Sequence, residues 1–344
     1  MSRLQISNLS PSFLVVTGTV LALLVSLSAM HGMAAAQSFD ANAAQGLQIS
    51  PAAIDLNGER GKTYTLKVNV LNVTSSDLVY SSAPHDFGAK DETGSPKILA
   101  DGSLPASASV MSWISAPDQF TLHGHQTRDL NVTVTIPSAA EPGGHYGVLS
   151  LSGSSPDTNA PGIGLTASTG LLILIRVDGA ISEQLSLASF TTDKGAKQQS
   201  FFETGPINFI TRLKNEGNVH LSPSGTILVH DMFGGLVTSL PVNDQQGKVL
   251  PNSIRRFEGE FKKDWMVGRY TADLTLGYGT KGQAITNTIS FWVIPYKLIL
   301  IALFVLSTVG FVFSRMIRVY NRRIIAKSKN ENNLKNKQHH DKKD

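Results

Sequence analysis

Along most of the middle of this chain, apolar and polar residues alternate with a period of two. Tyr64, Leu66, Val68 and Val70 interleave with Thr63, Thr65, Lys67 and Asn69; Leu130, Val132, Val134 and Ile136 interleave with Asn131, Thr133 and Thr135 before Pro137 closes the run. This period puts one apolar face on a half-buried strand. Residues 171–175 are apolar without a break, too short to cross a membrane and stopped by Arg176 and Asp178-Gly179. That run predicts a central strand buried on both faces. Further strands are predicted at 208–213, 225–230, 253–261, 269–278 and 285–294. No 3.6-residue apolar stripe stands out between 46 and 294, so the region is expected to be all-β.

Two apolar segments of another kind bracket it. Residues 13–30 follow a short stretch whose only cation is Arg3 and lead into Ala34-Ala35-Ala36-Gln37. This is the pattern of a signal peptide, with cleavage expected between Ala36 and Gln37 and an uncleaved N-terminal anchor as the alternative. The second segment runs from Leu298 to Phe313, with Trp292 and Tyr296 before it and Arg315 and Arg318 after it. At about 1.5 Å per residue it covers roughly 24 Å, near the thickness of a hydrocarbon layer once Lys297 snorkels and the helix extends below. A transmembrane helix is predicted at 296–317.

Charge fixes the expected orientation. From Arg315 to Asp344 there are ten Lys or Arg against three acids, a net of +7, while 37–314 carries a net of −4. The excess of cations places the C-terminus in the cytoplasm and everything before the helix outside. The basic character of the whole chain is thus a property of its tail and gives no reason to expect a nucleic-acid partner. Residues 318–344, rich in Lys and Asn, are read as a basic disordered tail attracted to anionic lipid. The chain has no cysteine, so its outer domains must rely on their cores, which domains above about 100 residues can do.

A weak internal repeat divides the outer region. A strand enters Asn72 and then Thr74-Ser75-Ser76-Asp77; another enters Asn215 and then Glu216-Gly217-Asn218. Later in each half, Gly144-His145-Tyr146 and Gly268-Arg269-Tyr270 each open an alternating strand. A glycine turn with a tyrosine entering a late strand suggests the corner of an immunoglobulin-like sandwich. Two such sandwiches are expected, at 46–181 and 182–294, with long loops at 83–108 and 152–161.

The order of these features resembles the WxL-interacting protein family of Gram-positive-type cell surfaces. It is carried by the signal peptide, Ile49-Ser50-Pro51, Gly144-His145-Tyr146, Arg176-Val177-Asp178-Gly179, Asn215-Glu216-Gly217-Asn218, Val249-Leu250-Pro251-Asn252-Ser253, Gly268-Arg269-Tyr270, and a membrane helix with a basic tail. The resemblance implies two immunoglobulin-like domains, the first associated with peptidoglycan or another cell-wall polymer and the second with surface or host proteins.

Catalytic motifs are scarce. Asp86-Phe87-Gly88 spells a kinase metal-binding triplet without the glycine-rich loop that would accompany it, and no Gly-x-Ser-x-Gly, His-Glu-x-x-His, P-loop or EF-hand pattern is present. His123 and His125, with His145, offer the minimum for a metal site but lack carboxylates at ligand spacing, and are read as turn histidines. No cofactor and no enzyme activity are expected. The stretch with His85, Asp86, Phe87, Asp91 and Glu92 is the first candidate contact loop. The expected function is that of a membrane-anchored surface binding protein, the alternative an extracytoplasmic assembly factor of chaperone-like type or a sensor subunit.

Overall fold

The computed structural model describes residues 46–101, 103–104, 108–154, 167–195 and 197–340. The expected cleavage site at Ala36 and Gln37 and most of the 152–161 loop lie outside them. The first half holds ten strands: β1 (Leu47–Ser50), β2 (Ala53–Gly58), β3 (Thr63–Asn72), β4 (Leu78–Ala89), β5 (Pro96–Ile98), β6 (Ile114–Ser115), β7 (Gln119–Leu122), β8 (Thr127–Thr135), β9 (Gly143–Ser154) and β10 (Ala167–Val177). They form a sandwich of two sheets, β1-β3-β8-β6 against β2-β10-β9-β4-β5, with β7 also on β4.

The alternation sets the register. Tyr64, Leu66 and Val68 lie opposite Val134, Val132 and Leu130, so the apolar positions of β3 and β8 share the inward face. There they pack with Tyr80, Leu122, Leu149, Ile173 and Ile175 of the facing sheet.

The second half repeats the plan. It contains β11 (Leu185–Lys194), β12 (Lys197–Gln198), β13 (Phe201–Phe202), β14 (Ile207–Asn215), β15 (Ser224–His230), β16 (Leu236–Val242), β17 (Ile254–Phe261), β18 (Gly268–Tyr278) and β19 (Gln283–Val293). Sheets β12-β11-β14-β17 and β13-β19-β18-β15-β16 enclose a core of Phe202, Phe209, Tyr270, Leu274 and Phe291. In each sandwich a short strand runs parallel to the last one, β2 on β10 and β13 on β19. Both halves are immunoglobulin-like β-sandwiches, and among the described residues before the C-terminal helix the regular structure is β apart from one short 3-10 turn at Met111–Trp113.

The Asn repeat has a structural cause. Asn72 ends β3 and Asn215 ends β14, both fully buried. The Asn72 amide donates to the carbonyls of Ser76, Leu122 and His123 and accepts from the Thr74 N–H; Asn215 donates to the carbonyls of Val219 and Val249 and accepts from the Gly217 N–H. One side chain thereby satisfies a buried turn that the sheet ladder cannot reach.

Three expectations need correction. First, 83–108 is not one loop: β4 continues through His85, Asp86 and Phe87 to Ala89, and β5 pairs back on it. Asp86 is buried because its carboxylate accepts the Val110 N–H at 2.9 Å, which removes the apolar signature the strand would otherwise show.

Second, the two Gly-x-Tyr motifs are out of step by one residue. The left-handed glycines that open the late strands are Gly143 and Gly268, opposite Val177 and Val293 respectively. His145 therefore occupies the inward place that Tyr270 holds in the second sandwich, its ring 4.7 Å from that of Trp113, and Tyr146 points out of the first sandwich.

Third, the tail is not disordered along its length. A single helix, α1 (Tyr296–His340), runs through it. A helix satisfies its backbone without a core, and extending an existing helix avoids the cost of nucleation.

Candidate functional site

Part of the outer face of β4, β9 and β10 is shielded from water. Phe87, Val148 and Leu174 are buried there with Tyr146 and Leu172, packed against Leu250 of the second sandwich. This is why 171–175 is apolar on both faces: the second cover is the other domain. A small apolar cavity of about 120 Å³, lined by Phe87, Leu172, Leu174, Leu250 and Arg255, lies in the same seam.

Polar contacts flank the seam. Arg212 makes a two-pronged ion pair with Glu92, whose carbonyl also accepts the Arg256 N–H at 2.7 Å. The guanidinium holds the Glu92 carboxyl below the usual carboxylate range. On the other side Asp55 of β2 meets His220 Nε2 at 3.0 Å and Lys248 Nζ at 2.7 Å. The hydrogen bond with His220, aided by Lys248, depresses the Asp55 carboxyl strongly. The connection between the sandwiches is pinned as well: Glu183 pairs with Arg176 at 2.7 Å and accepts the Thr280 N–H at 2.7 Å, and Asn218 accepts the Ser182 N–H at 2.8 Å.

Acid should loosen this seam. A depressed carboxyl contributes above its unfolded value near 4 and loses that contribution as pH falls through its folded value. Asp55 is 41% exposed, so screening holds the effect to about 1 kcal/mol or less. Protection of the 218–221 amides, taken relative to their intrinsic exchange at each pH, is expected to fall below about pH 4. In Asp55→Asn that protection should be lower already at neutral pH and respond less to acid; an unchanged acid response would dismiss the role given to Asp55.

The candidate contact residues are largely used inside the molecule. Phe87 lies in the seam, Asp86 in the first sandwich, and Glu92 on Arg212. Asp91 accepts the Thr93 N–H at 2.8 Å in a turn, and His85 faces Asp101 at 3.8 Å. Asp55, His220 and Lys248 were not singled out by sequence; a pair such as Asp55 and His220, 165 positions apart, leaves no local signal. His123 bonds to Asp77 at the surface, away from the buried His145. Among the described residues no group of three or more His, Asp or Glu could hold a metal ion.

A surface of another kind remains open. The eleven-residue β19 is paired along its whole length with β18, but on its other side, among the described residues, only Trp292 and Val293 pair, with β13. Trp292 and Ile294 donate their N–H groups to the Ser200 and Phe202 carbonyls. The even-numbered backbone groups therefore face outward, so Thr286, Thr288 and Ser290 present N–H and C=O groups to an edge that no described strand fills. Beside this edge runs a groove of about 540 Å³ toward β11, lined by Phe190, Thr192, Gln199, Ile289 and Ser290. An edge with unpaired backbone groups is a template for another strand. The sequence hint, visible afterwards, is the polar run Thr286, Asn287, Thr288.

Beyond β19 the chain reaches α1 within two residues. Its Tyr296–Ala326 portion is long and apolar enough to cross a membrane. Tyr296, Leu298 and Phe313 lie on it with Arg315 and Arg318, whereas Trp292 belongs to β19.

No family model matches the chain, and no curated protein matches it. The resemblance to WxL-interacting proteins therefore rests on its motifs alone. Solved structures similar to it include the YadV chaperone, with a TM-score of 0.36 and 10% identity over 72% of this chain and 100% of that one. The E. coli chaperone DraB gives 0.33 and 12% over 72% and 97%. A chain from the complex of the Salmonella enterica SafA pilin with the SafB chaperone gives 0.34 and 12% over 75% and 99%.

Proposed function

We propose that this is a non-enzymatic, membrane-anchored extracytoplasmic protein that holds an extended segment of a partner surface protein along the free edge of β19, in the manner of an assembly factor. The observation that carries this is the unpaired edge at Thr286, Thr288 and Ser290 beside an open groove. Main-chain hydrogen bonds to that edge supply affinity, and Ile289 and Phe190 in the groove read alternate side chains of the guest. In this reading α1 spans the membrane with its Arg- and Lys-rich end in the cytoplasm. Binding of a wall polymer by the first sandwich gains no support from this geometry, because the apolar patch on its β4-β9-β10 face is already packed on the second.

The test is backbone-specific. Thr286→Pro removes one outward N–H while keeping an edge position that tolerates proline. It should weaken partner binding by about 1 kcal/mol or more, roughly fivefold, whereas Thr286→Ala should leave it unchanged. The assay is photocrosslinking on intact cells from a probe at Asn287, with a probe at Thr226 on the covered β15 as control. Equal crosslinking from both positions, or no difference between the two variants, would exclude the edge.

A further inference from the structure

The second sandwich has two ends of opposite character. One carries the turns packed on the first sandwich. At the other, Gly268 and Phe202 both lie opposite Val293, three residues before the helix begins. The β15–β16 turn reaches the same end, since His230 lies opposite Thr271 and a Cβ on Gly268 would stand 2.8 Å from the Met232 sulfur.

Large apolar side chains crowd this end and face outward. Phe233 is 88% exposed and Trp265 72%; Val267, Leu236, Met232 and Phe201 are more than half exposed. Among the described residues before the helix, Ile98 is the one exposed large apolar side chain that lies elsewhere. Single exposed apolar residues are ordinary, but a set gathered at one end marks a surface that meets something apolar. Lys262 and Lys263 stand beside Trp265, and Lys297 opens the helix beside Tyr296. Aromatic rings with nearby lysines are the composition of a membrane-water boundary.

We propose that the end of the second sandwich carrying Trp265 and Phe233 docks on the outer leaflet of the bilayer that holds its own helix. This rests on the reading of α1 as a membrane anchor and goes beyond it: the anchored domain is seated on the lipid rather than hanging above it. The occupant is a lipid surface because the two residues between β19 and α1 carry this end to the headgroups. Acids at the same end, Asp231, Asp264 and Glu203, offset the lysines, so the contact is apolar and needs no anionic lipid. The rings enter about 5–10 Å into the boundary region.

The chain has three tryptophans, and Trp113 is buried in the first core. In the full chain with Trp292→Phe, reconstituted in phosphatidylcholine nanodiscs, brominated lipid should quench the Trp265 share of emission and spare Trp113. The total should fall roughly twofold, because bromines on the acyl chains lie within reach of a ring at that depth. Adding Trp265→Phe should abolish the fall, and Phe233→Asp, at an exposed turn that the fold does not need, should reduce it. Equal emission in plain and brominated discs, with the protein incorporated, would overturn docking and leave the anchor standing. Failure to enter discs would overturn the anchor, and docking with it.

Discussion

Phe291→Ala is expected to destabilise the second sandwich by about 3–5 kcal/mol, the cost of removing a large buried ring whose site cannot collapse. Phe291 is fully buried on β19, with the rings of Phe202, Phe209 and Tyr270 centred 6.0, 5.8 and 5.6 Å away. These come from β13, β14 and β18, so no single strand can move in to close the void. Phe291→Leu keeps most of the volume and should cost far less, about 1–1.5 kcal/mol. Thermal unfolding of the full chain would resolve this as a fall of more than roughly 10 °C for alanine. Hydrogen exchange should rise in β11–β19 while β3, β8 and β10 stay protected. A loss of less than about 1 kcal/mol would show that the aromatic cluster is not a tightly packed unit.

Asn215→Ala should cost about 3 kcal/mol and Asn72→Ala about 1–2 kcal/mol, in that order, because the price of an unmade hydrogen bond depends on whether water can replace it. All three backbone partners of the Asn215 side chain are buried. Of the groups bonded to the Asn72 amide, the Leu122 carbonyl alone is fully buried, while those of Ser76 and His123 are partly accessible. Asn215→Asp should be worse than alanine, since it turns a second oxygen toward the Val219 and Val249 carbonyls where a donor is required. Chemical denaturation of the four chains, wild type included, gives the order directly; a reversed order would mean that the second turn is open to solvent.

The Asn pair was legible in the sequence because a buried turn needs a short amide at a fixed place, and both sandwiches use the same solution. The alternating faces of β3 and β8 were legible for a similar reason, each strand having one wet side. The same logic failed for β4. Its Pro84, His85 and Asp86 break the alternation, and its outward Phe87 is covered by a domain that begins some 100 residues later. The match of Gly144-His145-Tyr146 with Gly268-Arg269-Tyr270 was off by one because an additional glycine shifts which side chain faces inward, and a shift of one reverses every side chain of a strand. The free edge of β19 left only the polar run Thr286, Asn287, Thr288 as a trace in the sequence, since whether a strand is an edge depends on what fails to pair with it.

The position of β19 directly before the helix also sets a distance. At about 3.3 Å per residue, an eleven-residue strand reaches roughly 36 Å. In the anchored protein, a guest segment lying along that strand would be held within this height of the lipid, with its register measured from the membrane. Because the seam between the sandwiches and the pinned connection at Glu183 oppose bending, the first sandwich would stand as a stiff post above the guest. The edge would then select by altitude as well as by sequence, admitting segments that leave the membrane extended and excluding those that unfold only farther out.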